Sequence, residues 1–175
     1  MHDQRGIAEV QPFQASAVPL CREPGISNAH PVNDEEFLRH FEDRTLTHAQ
    51  WNHRAHLKVA YLYLLRFPFD DAFRRIRENI RALNAAHGVT DSPTRGYHDT
   101  ITRAWLQLVH TTLAQFGPAE TADAFLDAQS QLGNKRTLLL FYSRDLLMSA
   151  EAKASIVAPD LTPLPWPPHR KQQDA

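Results

Sequence analysis

Proline and glycine residues divide the middle of the chain into segments of helical length. The positions of these breaks constrain the fold more than any other feature of the sequence. Between residues 33 and 158 the breaks fall at Pro68, Gly88, Gly117 and Gly133. Within the segments apolar residues recur at every third or fourth position, the spacing of one helix face, and no stretch shows the alternation of a half-buried strand. The pattern predicts an all-α protein, a compact bundle of about six helices in which short connections favour antiparallel neighbours.

The two ends of the chain lack this periodicity and are interrupted by prolines. We predict a flexible, extended N-terminal arm over residues 1–32, a helical bundle domain over residues 33–158 and an extended Pro-rich tail over residues 159–175. Leu161, Leu164 and Trp166 are the apolar side chains with which the tail could lie along the bundle.

Local signals predict where the helices begin and end. Thr47 and Gln50 have the spacing of a capping box, so the second helix is expected to begin at Thr47. Apolar residues surround almost the whole circumference of the sixth segment, which is therefore expected to form a central helix. The first predicted helix begins at Asn33 or Asp34, the second covers 47–67 and the third covers 70–87. The fourth begins between Ser92 and Gly96 and ends at Phe116, and the fifth covers 119–132. The sixth runs from after Asn134 to Met148, and a short last helix ends before Pro159.

The bulk composition excludes several classes of function. The 175 residues carry a formal net charge of −1, so no bulk field draws the chain to nucleic acid. Cys21 is the single cysteine, which excludes an internal disulfide and a thiolate metal site. No apolar run reaches the roughly 18 residues of a membrane span, and the first residues do not form a signal sequence. We therefore expect a cytoplasmic protein with no nucleic-acid or membrane partner.

Three histidines give the most pointed chemical signal. On the second predicted helix, His53 lies at the centre of an apolar face and His56 lies beside it. On the fourth predicted helix, His98 heads an apolar stripe that includes Trp105, whereas Asp99 falls on the polar side. If successive helices alternate in direction, the three imidazoles meet at one end of the bundle.

Three inward-facing imidazoles with one open position would suit a divalent transition metal. Zinc, iron, copper and nickel all accept imidazole nitrogen, so the pattern does not choose among them. The hypothesis is a metal held by His53, His56 and His98. The alternative for each histidine alone is a buried ring hydrogen-bonded to a carbonyl or a hydroxyl group.

The sixth predicted helix adds three candidate catalytic residues, Tyr142, Arg144 and Asp145. Asp145 could accept a hydrogen bond from an imidazole N–H, an arrangement that is common around metals. Tyr142 could donate a hydrogen bond to a substrate, and Arg144 could orient it. The alternative is a structural ion pair between Arg144 and a carboxylate on another helix.

Three sequence motifs carry a family resemblance. The strings Trp51-Asn52-His53-Arg54-Ala55-His56-Leu57, Gly96-Tyr97-His98-Asp99-Thr100-Ile101-Thr102 and Phe141-Tyr142-Ser143-Arg144-Asp145-Leu146-Leu147 resemble those of a group of small bacterial helical proteins of no established activity. The chain is also faintly similar to the DinB/YfiT bundles, which hold a divalent metal with three histidines at one end. That resemblance implies a metal site. The late pair of histidines that is usual there is absent from the sixth segment of this chain.

Two functions follow as hypotheses. The first is a metal-dependent enzyme acting on a small molecule, in which the metal activates water or polarises a substrate oxygen. The second is a non-catalytic helical module that binds a protein partner or a small ligand.

Overall fold

The computed structural model describes residues 33–92 and 95–167. Regular structure in these ranges is helical, which confirms the predicted all-α bundle. The predicted arm over residues 1–32 lies outside the described residues. The helices are α1 Asp34–Glu42, α2 His53–Leu64, α3 Phe69–Ala86, α4 Asp99–Phe116, α5 Ala122–Ala128, α6 Arg144–Leu147 and α7 Ala150–Ala154, with 3-10 helices at Ser130–Gly133 and Lys135–Leu140. None of the helices in the described ranges is long and apolar enough to cross a membrane.

Helix α2 is the centre of the bundle. Every residue from Leu57 to Tyr63 is buried, so this helix is covered on all sides by α3, α4, α5 and the first 3-10 helix. A helix that is apolar around its circumference must be covered in this way. The sixth segment was expected to take the central place, and that expectation is wrong, because Leu139, Leu140 and Met148 are exposed.

The sixth segment does not form one helix. It breaks into the 3-10 helix Lys135–Leu140 and the single turn of α6, where the Ser143 hydroxyl accepts a hydrogen bond from the Leu146 N–H. The backbone groups at the break pair with a later part of the chain instead of with a helix. The Ser143 N–H donates to the Asp160 carboxylate (2.7 Å), and the Phe141 carbonyl accepts from the N–H groups of Leu161 and Thr162.

Helices α2 and α4 begin later than the sequence predicts. The capping box of Thr47 and Gln50 does form, but it closes only an isolated turn, and Asn52 is the residue that caps α2 through the Ala55 N–H. Helix α4 begins at Asp99 rather than between Ser92 and Gly96. In both cases a later side chain takes the orphan N–H groups of the first helical turn, and it thereby sets the start of the helix.

The tail residues that the structure describes lie along α4. We call residues 156–167 the C-terminal strap. The strap is held by the Gln107 amide, which donates to the Leu164 (3.4 Å) and Pro165 (3.0 Å) carbonyls, and by the Thr111 hydroxyl, which donates to Pro165 (2.9 Å). Trp166 packs edge-on against the Phe69 ring at 4.8 Å.

A buried ammonium group joins three helices of the bundle. Lys58 on α2 is only 6% exposed, and its Nζ lies 2.9 Å from Asp34 of α1 and 2.7 Å from Asp123 of α5. Asp34 also accepts a hydrogen bond from the Ala122 N–H at the start of α5. The paired carboxylates raise the pKa of Lys58 despite burial, which by itself would lower it, so the side chain is charged at neutral pH.

Replacing Lys58 by methionine should destabilise the protein, because two carboxylates lose the cation between them. We expect the free energy of unfolding in denaturant at neutral pH to fall by about 2 kcal/mol, less than for a fully buried pair since Asp123 is partly exposed. Arg74→Met is the matched control, because Arg74 pairs only with exposed carboxylates on the surface of α3. Equal effects of the two substitutions would contradict the assigned role of Lys58.

Candidate functional site

His98 caps helix α4 and does not lie within it. Its Nδ1 accepts a hydrogen bond from the Ile101 N–H (3.2 Å), and its Nε2–H donates to the Leu147 carbonyl (2.9 Å). An imidazole that accepts at one nitrogen and donates at the other is neutral and has no free lone pair. Consistent with this, burial lowers the pKa of His98.

His53 and His56 lie together in the first turn of α2. The Nε2–H of His53 donates to the Leu132 carbonyl (3.0 Å), and its ring packs edge-on against Trp105 at 4.6 Å. The His56 ring lies 3.9 Å from the Trp51 ring. Burial lowers the pKa of both histidines, for His56 to about 4, so the two rings are neutral at pH 7.

The structure does not bring the three predicted metal ligands into one donor set. The His53 ring packs against Trp105 of α4. Trp105 lies seven residues, or roughly 10 Å along the axis of α4, beyond His98. Both nitrogens of His98 are already hydrogen-bonded. Over residues 33–92 and 95–167 no group of three or more His, Cys, Asp or Glu residues is placed to hold a metal ion. The side chains present therefore do not fit a three-histidine centre, and the metal stays a prediction of the sequence.

The residues just before and within the first turn of α4, which we call the α4 opening turn (residues 97–100), form a polar cluster that sequence reasoning missed. The Tyr97 N–H donates to Asp91 (2.8 Å), and the Tyr97 carbonyl accepts from Lys153. Asp99 was assigned to the polar side of its helix, but it is 2% exposed and accepts a hydrogen bond from Arg77 of α3 (2.8 Å). The assignment failed because this side of α4 packs against α3, as the contacts of Arg103 with Phe69 and Phe73 also show.

The same turn determines two further features of the chain. The Thr100 hydroxyl, fully buried, donates to the Ser155 carbonyl (2.7 Å) and accepts from the Val157 N–H (3.1 Å), which fixes the beginning of the strap. Gly96 has a φ of +93°, and a Cβ there would meet the Asp91 carboxylate at 1.8 Å. Glycine is therefore required at this position.

The three predicted catalytic residues separate in the structure. Tyr142 is 3% exposed, and its hydroxyl donates to the Val157 carbonyl at 3.4 Å. Arg144 and Asp145 are exposed on α6. The prediction grouped the three residues because one continuous helix would hold them close together. The break at Ser143 removes that reason.

A cavity of about 380 Å³ lies between α4 and the C-terminal strap, with Tyr142 in its wall. This volume is in the range of small-molecule sites. Helix α4 contributes one face of residues, and the strap contributes apolar side chains and prolines. The lining residues are Thr100, Arg103, Ala104, Gln107, Tyr142, Ile156, Val157, Ala158, Pro159, Pro163 and Leu164.

Arg103 carries the charge of the cavity wall. Its guanidinium lies over the rings of Phe69 (4.9 Å) and Phe73 (5.5 Å), which hold the side chain in place. The carboxylate of Asp70 is 3.6 Å away but is 91% exposed, so water and salt screen this contact. Sequence reasoning did not assign Arg103 to a cavity, since the strap wall opposite it comes from residues more than fifty positions later.

Comparisons with known proteins add no assignment, because no family model, no curated protein sequence and no solved structure matches the chain. The resemblance carried by the three motifs therefore stays a prediction.

The cap assigned to His98 can be tested by substitution. His98→Ala removes both the cap and the hydrogen bond to Leu147, and we expect it to lower the free energy of unfolding by about 2 kcal/mol. His98→Asn keeps an N-cap acceptor and should recover about half of that loss in the same denaturation measurement. An asparagine variant no more stable than the alanine variant would rule out capping as the role of this residue.

The three partly buried, neutral histidines predict a stability that falls with acid. Unfolded imidazoles take up protons near pH 6.5, whereas His53, His56 and His98 stay neutral to lower pH in the folded protein. The stability that these neutral rings contribute is therefore fully present above about pH 6.5, and it is lost as the pH falls toward the folded pKa values. The lowered pKa of His56 alone corresponds to about 3 kcal/mol at the acid end of this window.

Denaturant unfolding between about pH 7.5 and about pH 4.5 measures this loss. His56→Phe should flatten the dependence, because it removes a titrating group while keeping a ring against Trp51. His48→Phe is the matched control on an exposed histidine and should leave the slope unchanged. A slope in His56→Phe as steep as in the wild type would contradict the assignment.

Proposed function

We propose that this protein is a non-catalytic helical module that binds a small molecule in the cavity between α4 and the C-terminal strap. The observation that carries the proposal is the cavity itself, whose walls are mostly apolar and contain a few polar groups at defined positions. This combination is typical of small-ligand sites, where apolar surface supplies affinity and a few polar groups fix orientation.

The polar groups of the cavity differ in how free they are to bind. Thr100 uses its hydroxyl twice within the protein, once as donor and once as acceptor. Gln107 uses its amide N–H groups on the strap carbonyls. The phenol of Tyr142 makes only a long hydrogen bond of 3.4 Å, which a ligand acceptor could replace at small cost. Arg103 and Tyr142 are thus the groups best placed to recognise a ligand.

The cavity favours this function over the metal-dependent enzyme predicted from the histidines. A metal enzyme of that kind needs the three imidazoles to share one ion, and His98 already spends both nitrogens on the backbone. Tyr142 lines the cavity, whereas Arg144 and Asp145 are not among the lining residues. The ligand-binding hypothesis needs no rearrangement of the described residues.

Filling the cavity should abolish binding. Ala158 lines the cavity on the strap side, so Ala158→Phe places a ring in the space a ligand would take. Ala114→Phe is the matched control, because Ala114 is exposed on α4 and is not a lining residue. The measurement is a ¹H–¹⁵N NMR titration with a panel of soluble fragments that includes neutral, anionic and cationic members.

For the wild type and Ala114→Phe, we expect at least one fragment to give saturable shifts of the Ala104 and Val157 amides, with a Kd on the order of 1 mM. Ala158→Phe should lose those shifts. If no fragment saturates, or if the saturable shifts fall elsewhere and survive Ala158→Phe, the proposed function is wrong.

A further inference from the structure

The charge around the cavity is one-sided. Arg103 is the charged member of the lining set, and none of the lining residues is acidic. The other lining side chains are apolar or neutral, so nothing in the wall itself balances the guanidinium. A half-buried cation beside apolar surface is stabilised by an anion that displaces water from it.

The surroundings of Arg103 leave its guanidinium available. On the α3 side the guanidinium lies over the faces of Phe69 and Phe73. These rings hold it by cation–π contact, but they do not accept the in-plane hydrogen bonds of its N–H groups. Asp70 is the acidic neighbour within 4 Å among the described residues, and its 3.6 Å contact is longer than a charge-assisted hydrogen bond. No hydrogen bond links the Arg103 guanidinium to another side chain or carbonyl within residues 33–92 and 95–167.

Tyr142 adds a neutral donor close to the same place. Burial raises the pKa of the Tyr142 hydroxyl, and the nearby Arg103 guanidinium opposes that effect only in part. The phenol is therefore protonated at neutral pH and can donate to an anion. Its present acceptor is the Val157 carbonyl, at the long distance of 3.4 Å.

We propose that the ligand of the cavity is a small monoanion, a carboxylate carried on a short apolar chain or ring. The carboxylate pairs with the guanidinium of Arg103 and accepts a hydrogen bond from Tyr142, while the apolar part packs against Val157, Pro163 and Leu164 of the strap. Planar carboxylates match the donor fork of arginine. This inference rests on the proposed function, since it names the chemical class that the same cavity takes.

The test compares two probes of the same chain length and similar shape, the anion hexanoate and the neutral hexanamide, by NMR titration of the full chain at about pH 7.5, where hexanoate is ionised. In the wild type we expect hexanoate to bind about tenfold more tightly than hexanamide, with shifts at the cavity amides. Added sodium chloride should weaken the binding of hexanoate and leave that of hexanamide unchanged.

Two variants locate the charge effect. Arg103→Gln should reduce the affinity for hexanoate to that for hexanamide without changing the latter. Arg74→Gln, which removes an exposed arginine of α3 outside the cavity, should leave both affinities unchanged. If Arg103→Gln fails to fold, the comparison of the two probes and its salt dependence in the wild type decide the question.

The outcomes separate the two proposals. If the wild type binds the two probes with equal affinity, as measured from shifts of the cavity amides, the assignment of an anionic ligand is overturned. The cavity then remains a binding site. Preference for hexanoate that survives Arg103→Gln also overturns it. If neither probe nor any fragment of the panel shifts the cavity amides, the proposed function fails and this inference fails with it.

Discussion

The hydrogen bonds of the α4 opening turn connect helix α4 to four other parts of the chain, and the positions of those parts depend on them. His98 reaches the end of α6, Asp99 reaches α3, Thr100 reaches the start of the strap, and the Tyr97 carbonyl reaches Lys153 of α7. Each of these contacts satisfies a buried polar group, and a buried polar group without a partner is costly. Three of these four partners, in α6, α7 and the strap, come later in the chain, so those hydrogen bonds form only when the later elements are in their native places.

This role explains why His53 and His98 point into the bundle and form hydrogen bonds with the backbone. A histidine at a helix start offers a lone pair to the orphan N–H groups and an N–H to a carbonyl across the core. His98 does both, and His53 makes the second contact with Leu132. In each case the ring replaces a hydrogen bond that water would make at an exposed helix end. Burial lowers the pKa of both rings, and protonation of His98 would in addition break its cap.

The sequence predicts much of the fold and little of the site, for a physical reason that particular residues make clear. Local caps and breakers determine the start of α1 and both ends of α3, whose observed positions agree with the predicted ones within one residue. Asn52 and His98 cap α2 and α4 in place of the earlier candidates, whereas the break at Ser143 depends on a contact with the distant Asp160. Tyr142 was predicted as a site residue, but Arg103 was not, because its partners across the cavity are far away in sequence and no local pattern marks them.

The strap determines when the cavity can form during synthesis of the chain. Thr100 and Val157, which fix the base of the strap on α4, are 57 positions apart. During synthesis the chain up to α5 emerges first and can already pack α2, α3 and α4 together, while the second wall of the cavity does not yet exist. The cavity is thus the last part of the described fold to be completed. Under the proposed function, a ligand would bind finished chains and not nascent ones.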